Sequence, residues 1–258
     1  MTSSYPQLTI GVPVHNGAEH ILDCLENLAQ QSHTDFEVLI FENMSDDGTL
    51  EIVQEFCAKD HRFQVRPSTE FLSMFENFIR TIEGVSDRGE FFALRAYDDK
   101  SCDRYMELLT GALLEQEDKA LATSRTFFFD RSNENGELVN LKEIPVDDRI
   151  LEPTYWGEFD RPYKRITFPA SWFYGVYRSS AGHKIVTTLE TYSNMWAGDR
   201  LIVLQYLFRE QLVFIPEATF YCKTGSLSYA KYTEKGVWLK LTMRRKYLRI
   251  LWALRLKI

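Results

Sequence analysis

The sequence has few of the features that mark membrane-spanning, secreted or zinc-binding proteins. Its 258 residues contain no run of about 18 uncharged apolar residues, so we expect no membrane-spanning helix. The N-terminal stretch lacks a basic segment and a long apolar one, so we expect no secretory signal. The 4 cysteines lie far apart without a CxxC pair, which argues against a zinc site or a disulfide framework. Reduced thiols and a cytoplasmic location are the resulting expectations.

The two commonest glycine-rich phosphate-binding motifs are also missing. GxGxxG does not follow the first apolar run, and GxxxxGK[ST] occurs nowhere in the chain. The phosphates of a bound nucleotide would therefore need another source of positive charge. Mg²⁺ or Mn²⁺, which binds through one or two carboxylates and the phosphate oxygens of a substrate, is the expected substitute.

Acidic residues are absent from the C-terminal segment 235–258, which contains eight basic ones. The whole chain has a formal net charge of −7, so residues 1–234 carry −15. Leu241, Leu248 and Trp252 recur among the basic residues, a pattern typical of an amphipathic helix that binds a membrane surface. Packing of this helix on the domain or on a second subunit is the alternative. We expect no nucleic-acid binding, because the rest of the chain is acidic.

Apolar runs and helical patterns alternate along the first half of the chain. Strand-like apolar runs bounded by turn residues occupy 8–13, 36–41, 63–66, 90–96 and 120–129. Apolar residues at helical spacing occupy 21–28, 50–56, 71–82 and 103–115. This alternation predicts an α/β fold with a Rossmann-like, mostly parallel central sheet flanked by helices.

Several local features refine this prediction. Asn16, with Glu19 three residues further on, resembles a capping box for the first helix, and Gly84 is expected to end the third. Residues 171–177 are predicted to form a strand, and residues 197–216 a helix followed by a strand. The polar segment between the two halves, residues 130–165, is expected to be an irregular loop or an acceptor-binding insertion.

Polar side chains follow three of the predicted strands at the point where each strand ends. They are His15-Asn16 after the first strand, Glu42-Asn43 after the second, and Asp98-Asp99 after the fourth. Ligands of parallel sheets bind beyond the carboxyl ends of the strands, so these three clusters are expected to share one cleft. A solvated turn, or a cap for the helix near residue 103, is the plainer interpretation of the two aspartates.

The N-terminal signature of family 2 glycosyltransferases, which have the GT-A fold, resembles residues 8–53, "LTIGVPVHNGAEHILDCLENLAQQSHTDFEVLIFENMSDDGTLEIV". The residues "GEFFALRAYDD" match the family's strand that ends in an acidic metal-binding motif. The resemblance is firm over 8–125 and extends to about 228. It implies a GT-A domain over 1–234, with a nucleotide-sugar half to about 125, an acceptor half over 126–234, and the tail 235–258. The positions in register with the first part of the pattern are Pro13, Asn16, Gln31, Asp35, Phe36, Glu37, Ser45, Asp47, Gly48 and Thr49.

The resemblance implies an enzyme that moves a sugar, with inversion, from a nucleotide-sugar donor to an acceptor hydroxyl. A UDP-sugar is the expected donor, and the expected acceptor is a glycan or a lipid-linked saccharide in cell-surface polysaccharide or glycolipid synthesis. Asp99 would be the main ligand of Mg²⁺ or Mn²⁺, with Asp98 beside it or on the ribose. The residues that the resemblance assigns to nucleotide-sugar binding are Pro13, His15, Asn16, Glu42, Asn43, Ser45 and Asp98.

The general base that inversion requires is expected in the second half of the chain. Asp199 follows Gly198 ahead of an apolar helix, where the family places this base, although an N-cap role would favour Asp there as well. The acidic pair Asp147-Asp148 lies in the irregular segment and is interpreted as solvated loop. Lys223 is a weaker candidate for contact with the diphosphate, and His15 is the histidine expected to matter.

Two positions depart from the family pattern. Glu42 stands where the family usually has Asp, and Ala96 stands where many members carry a further Asp. These departures leave open a catalytically silent nucleotide-sugar-binding module. A sugar-phosphate nucleotidyltransferase is a second alternative, but the glycine- and arginine-rich loop expected after its first strand is missing. For the enzyme, we expect attachment to the inner face of the cell membrane through 235–258.

Overall fold

The computed structural model of the chain describes residues 6–132, 137–151, 168–192 and 198–224, together with residue 249. The predicted membrane-binding tail, residues 235–258, lies outside the described residues except for that single position. Within the described ranges, no helix combines the length and the apolar character needed to cross a membrane.

Strands and helices alternate through the first 129 residues, as the apolar pattern predicts. The strands are β1 (Leu8–Val14), β2 (Phe36–Glu42), β3 (Phe63–Val65), β4 (Phe91–Leu94), β5 (Lys100–Ser101), β6 (Leu121–Phe129), β7 (Arg131–Ser132), β8 (Leu138–Val139), β9 (Lys142–Glu143), β10 (Val176–Arg178) and β11 (Leu212–Lys223). The α-helices are α1 (Ile21–Ala29), α2 (Thr49–Lys59), α3 (Met74–Ser86), α4 (Tyr105–Glu115), α5 (Gly182–Tyr192) and α6 (Gly198–Leu207). Short 3₁₀ turns occupy Asp148–Leu151, Ala170–Tyr174 and Ser179–Ala181.

The main sheet is mixed but mostly parallel, in the order β3-β2-β1-β4-β10-β6-β11-β5. β1 pairs in parallel with β2 and β4, and β6 pairs in parallel with β11. β10 lies antiparallel between β4 and β6 and so joins the two halves of the chain in one sheet. The prediction of a mostly parallel α/β sheet flanked by helices is therefore confirmed.

Two apolar clusters cover the two faces of this sheet. One contains buried side chains of α1, α2 and α4, and the other contains those of α3, α5 and α6. The strands between them are buried on both faces, which explains why β1, β2 and β4 are almost continuously apolar. Trp172 and Phe173 belong to the second cluster, so packing accounts for these two aromatic side chains.

Three local predictions differ from the structure, and one helix was missed. Gly84 lies inside α3, where a Cβ would sit 2.5 Å from the Phe41 ring, so it permits close packing and does not end the helix. Residues 170–174 form a 3₁₀ turn, and the strand begins only at Val176. Asn16 does not cap α1, because the helix begins only at Ile21 and the Asn16 side chain donates to Asp46 instead. Helix α5, with three threonines in eleven residues, was not predicted.

Candidate functional site

The three predicted polar clusters follow β1, β2 and β4, which are adjacent parallel strands. Their carboxyl ends therefore open at one edge of the sheet, where ligands of such folds bind. Pro13 is buried within β1 opposite Phe41 of β2, and it brings the chain to this edge. His15, Glu42 and the two aspartates stand at the ends of their strands.

The loops after β1 and β2, residues 15–18 and 43–49, are bonded to each other, and we call them the loop pair. Asn16 N donates to Ser45 Oγ at 3.0 Å, and Asn16 Nδ2 donates to Asp46 Oδ1 at 2.8 Å. Asp47 accepts hydrogen bonds from Ala18 N at 3.0 Å and from Thr49 N at 3.0 Å. Burial opposes their effect, but the hydrogen bond from the Thr49 hydroxyl and these two N–H bonds together hold the pKa of Asp47 below its usual value. The serine, aspartate and threonine of the "SDDGT" motif thus build the loop pair.

Glu42 and Asn43 are buried, and protein groups occupy most of their polar atoms. Glu42 Oε1 accepts a hydrogen bond from Ser45 N at 2.6 Å. Asn43 Nδ2 donates to Leu72 O at 2.8 Å, and Asn43 Oδ1 accepts from Leu72 N at 3.0 Å. Asn43 therefore holds the segment between β3 and α3 across the end of β2. A direct role for its side chain in nucleotide binding stays a prediction.

His15 forms one wall of the edge and is only partly buried. Its Nδ1 lies 2.9 Å from Asn43 O, and because a carbonyl oxygen can only accept, Nδ1 is the donor. Nε2 is then the acceptor that the neutral ring presents. The ring of Phe71 meets the His15 ring edge-on, with the centroids 4.9 Å apart.

The turn after β4, residues 95–99, carries the two aspartates, and we call it the acidic turn. Asp99 is buried, and its Oδ1 accepts a hydrogen bond at 2.9 Å from the backbone N–H of Lys223, the last residue of β11. Burial and the charge of Asp98 raise the pKa of Asp99 above its usual value, although Lys223 N and Arg95 act against them. Burial also raises the pKa of Asp98. The turn therefore concentrates negative charge that the protein compensates only in part.

His20 and Lys223 lie beside the acidic turn, although they are 203 residues apart in sequence. Lys223 Nζ is 2.8 Å from His20 Nε2, and both side chains lower the pKa of Asp98 through their charge. The sequence indicated His15 as the histidine that matters and ranked Lys223 low. The structure adds His20, which no linear motif could have indicated, because β11 brings its partner from the far end of the domain.

Arg95 is the other residue at this site that sequence reasoning missed. Its side chain is fully buried, with the guanidinium 4.8 Å from the ring centroid of Phe220 and 5.4 Å from that of Tyr105. Nη2 donates to Ser101 Oγ at 2.9 Å, whereas Nε and Nη1 have no partner among the described residues. Its positive charge lowers the pKa of Asp99. The sequence signal was an arginine at the end of an otherwise apolar strand.

Asp199 lies in the first turn of α6, and its Oδ1 accepts a hydrogen bond from Arg200 N at 2.7 Å. Burial raises the pKa of Asp199 to about 6, against the opposing effect of Arg200. Tyr174 is close enough to the acidic turn and to Asp199 that Asp99, Asp98 and Asp199 all raise the pKa of its phenol, after burial. Asp147 precedes the 3₁₀ turn Asp148–Leu151, and its carbonyl accepts a hydrogen bond from Ile150 N at 2.9 Å.

The donor set of the acidic turn fits a divalent cation of the expected kind. In the described ranges, no group of three or more His, Cys, Asp or Glu side chains is arranged to hold a metal ion. The turn supplies two adjacent carboxylates with raised pKa values. Mg²⁺ commonly takes one or two protein carboxylates and completes its shell with water and substrate phosphates. Two carboxylates are therefore enough for a metal that arrives with a nucleotide.

Sequence comparisons support the resemblance stated from the motifs. Residues 9–84 match the sequence model of the family described as glycosyl transferase family 2. Glycosyltransferase AglE of Haloferax volcanii is 41% identical over 111 residues, which are 42% of this chain and 35% of AglE. The putative glycosyltransferase EpsH of Bacillus subtilis is 29% identical over 126 residues, which are 48% of this chain and 36% of EpsH. The chain thus matches about a third of the length of these relatives.

Structural comparison extends the likeness beyond the matched sequence. The crystal structure of residues 1–349 of S. aureus TarS in complex with UDP has a TM-score of 0.56 at 16% identity, covering 84% of this chain and 60% of that chain. The same protein in complex with UDP-GlcNAc gives a TM-score of 0.54 at 14% identity. At such identities the likeness shows the fold alone, and it confirms the predicted GT-A architecture.

Proposed function

We propose that this chain transfers a sugar from a nucleotide-sugar donor to an acceptor hydroxyl, and the match of residues 9–84 to the family 2 glycosyltransferase model supports this proposal. The observation that carries the proposal is the meeting of the loop pair and the acidic turn at one edge of the sheet. A nucleotide can lie across this edge with its diphosphate toward Asp98 and Asp99. Asp199, in the first turn of α6, is the proposed base for the acceptor.

The proposed reaction is a direct displacement at the anomeric carbon. Asp199 takes the proton of the acceptor hydroxyl while that oxygen forms its bond to the anomeric carbon. The bond from this carbon to the diphosphate oxygen breaks on the opposite face, so the configuration inverts and the diphosphate leaves with the electron pair. A base works best when its pKa is close to the working pH, and the pKa of about 6 for Asp199 meets this condition.

The second requirement of the reaction is neutralisation of the negative charge on the leaving diphosphate. Mg²⁺ or Mn²⁺ held by Asp99, with Asp98, would supply Lewis-acid neutralisation of that charge. Lys223, which lies 2.8 Å from His20 Nε2, adds positive charge from the protein beside the same carboxylates. Arg95, the first residue of the acidic turn, compensates part of the charge of Asp99 when no ligand is bound.

The donor, the acceptor and the location belong to the proposal as well. TarS was crystallised with UDP and with UDP-GlcNAc, which supports a UDP-sugar as the donor. The B. subtilis relative TuaG is described as a putative teichuronic acid biosynthesis glycosyltransferase, which supports a glycan or lipid-linked acceptor in cell-surface polysaccharide synthesis. Contact of the basic segment 235–258 with the inner face of the membrane would bring the enzyme to such an acceptor.

A donor-hydrolysis assay tests the function. The protein is incubated with UDP-, GDP-, ADP- and CDP-sugars in the presence of Mn²⁺ or of a chelator, and the released nucleoside diphosphate is measured. We expect turnover of one class of donor, with UDP-sugars favoured, and its loss on chelation. Chelator-resistant turnover would remove the metal from the proposal. Nucleotide binding without any turnover, with or without saccharide acceptors, would favour the silent binding module that Ala96 and Glu42 leave open.

A further inference from the structure

Phe71 is the most exposed of the large hydrophobic side chains in the described part of the chain. Its exposed fraction is 63%, whereas the others range from 37% to 50%. Single exposed apolar side chains are common and need no explanation by themselves. Phe71 differs because of its position, since it stands beyond the carboxyl end of β2, at the edge where the candidate site lies.

The backbone that carries Phe71 is fixed. Ser68 N donates to Glu42 O at 2.8 Å, which extends the bonding of β2 by one more residue. The Asn43 side chain bonds both the N–H and the carbonyl of Leu72, the residue after Phe71. The protein therefore orders this segment without burying the phenyl ring. A ring presented in this way loses little further conformational entropy when a ligand covers it.

The rings of Phe71 and His15 form a corner. Their centroids are 4.9 Å apart and their planes meet at 66°. A flat ligand on the face of Phe71 would direct its edge at His15, whose Nε2 is the acceptor in the neutral ring. A planar heteroaromatic ring with an N–H on its edge can stack on Phe71 and donate a hydrogen bond to His15 Nε2.

We propose that Phe71 is the stacking platform for the nucleobase of the donor, and that it sets how strongly the base contributes to binding. The inference rests on the proposed function and deepens it. The strand order supports the assignment, because the corner lies over β2 and β1, while the acidic turn follows β4 on the other side of β1. Two strand spacings amount to about 10 Å, comparable with the reach of a nucleoside from its base to its diphosphate.

The test separates base binding from phosphate binding. Dissociation constants for UDP and for inorganic pyrophosphate, both with Mn²⁺, are measured by calorimetry for the unsubstituted chain, Phe71→Ala, Phe71→Leu and Phe71→Tyr. Stacking of a base on an aromatic ring changes affinity by roughly 5- to 150-fold on substitution by alanine. We expect Phe71→Ala and Phe71→Leu to weaken UDP binding by about 10-fold and to leave pyrophosphate binding unchanged. Phe71→Tyr, which keeps the ring, should bind UDP like the unsubstituted chain.

Leu114→Ala is the matched control, because Leu114 is exposed to 48% and lies in the last turn of α4, which leads to the amino-terminal end of β6 and not to the carboxyl edge. UDP affinity unchanged in Phe71→Ala would overturn the inference and leave the proposed function standing. Full affinity in Phe71→Leu would also overturn it, since apolar bulk would then suffice. If the unsubstituted chain binds none of UDP, GDP, ADP and CDP more tightly than it binds pyrophosphate, the proposed function itself is wrong. Quenching of added tryptophan fluorescence in Phe71→Trp by UDP, and not by pyrophosphate, would be an independent positive result.

Discussion

The loop pair and the acidic turn lie side by side at one edge of the sheet, yet their polar groups are treated in opposite ways. In the loop pair, Asn16, Ser45 and Asp47 bond to protein groups, and the pKa of Asp47 is lowered. In the acidic turn, Asp99 is buried, Asp98 beside it is half-buried, and the pKa values of both are raised. The polar groups of the loop pair are hydrogen-bonded within the protein, whereas the acidic turn holds two carboxylates whose negative charge a bound ligand could compensate.

This difference distinguishes residues that support the structure from residues proposed to take part in the reaction more clearly than the sequence motifs do. Both regions are rich in Asp and Asn, and both match the family pattern. Substitutions in the acidic turn should therefore change activity at little cost in stability, because they remove an unfavourable buried charge. Substitutions in the loop pair and its supports should do the reverse, because they leave buried partners unpaired.

The largest effect is expected from Asp99→Asn. The amide oxygen can still accept from Lys223 N, but the carboxylate is lost, so we expect donor turnover to fall on the order of 10³-fold. The free energy of unfolding should be unchanged or higher. Turnover with Mn²⁺ and urea unfolding without metal measure the two quantities, with Asp87→Asn at the exposed end of α3 as the control. A large loss of stability in Asp99→Asn would show that the acidic turn stabilises the fold as the loop pair does, and would contradict the proposed difference between them.

Asp199→Asn extends the comparison to the second half of the chain. Loss of the base should lower transfer to the acceptor on the order of 10²-fold, while nucleotide affinity stays the same. In the unsubstituted protein the rate should fall as the pH drops below about 6, because burial raises the pKa of Asp199 to that value and the base must be ionised. Steady-state rates from pH 5 to 8 check both points, with exposed Glu190→Gln as the control. An Asn variant that keeps the same acid limb would assign that limb to another group.

The same raised pKa has a consequence for stability. The folded protein binds the Asp199 proton more tightly than the unfolded chain does, so Asp199 destabilises the fold progressively as the pH rises from about 4 to about 6. Asp199→Asn should remove this contribution and raise the free energy of unfolding at pH 7.5 by up to about 3 kcal/mol. At pH 4 the two proteins should be nearly equal. Equal stability at both pH values would show that solvent reaches Asp199 in the folded protein.

The smallest of these effects is expected at the support of the loop pair. Asn43→Ala leaves the N–H and carbonyl of Leu72 without their partners and should cost about 1–2 kcal/mol of stability. Asn43→Asp keeps the acceptor for Leu72 N and should cost less. Thermal unfolding gives the ranking. A variant with unchanged stability that no longer binds nucleotide would show that Asn43 contacts the ligand, as the family resemblance implies, and does not only support the loop pair.

Most of the first half of the fold could be predicted, because its signals are local. Strands β1, β2 and β4 are short apolar runs, α1 and α4 show helical spacing, and their alternation dictates a parallel sheet. Errors arose where packing overrides the local signal. Gly84 looked like a helix stop, but its position is explained by the Phe41 ring on a neighbouring strand. The antiparallel position of β10 depends on pairing with two distant strands, which no local pattern encodes.

The candidate site divides in the same way. His15, Glu42 and the two aspartates could be placed at strand ends from sequence, because the carboxyl ends of adjacent parallel strands share an edge. The internal use of Asn43 could not be predicted, since its partner Leu72 lies in an irregular segment. His20, Lys223 and Arg95 owe their roles to contacts and burial that arise only when β4 and β11 are assembled.

The hydrogen bond from Lys223 N to Asp99 Oδ1 makes the donor site depend on the end of the second half. A fragment that stops near residue 125 would contain every motif of the nucleotide half but would lack β10, β11 and the anchor of its principal carboxylate. The two halves are therefore not exchangeable parts. Anyone building a chimera to alter the acceptor would need to graft β11 together with the donor half, or accept that a change of acceptor also disturbs the donor.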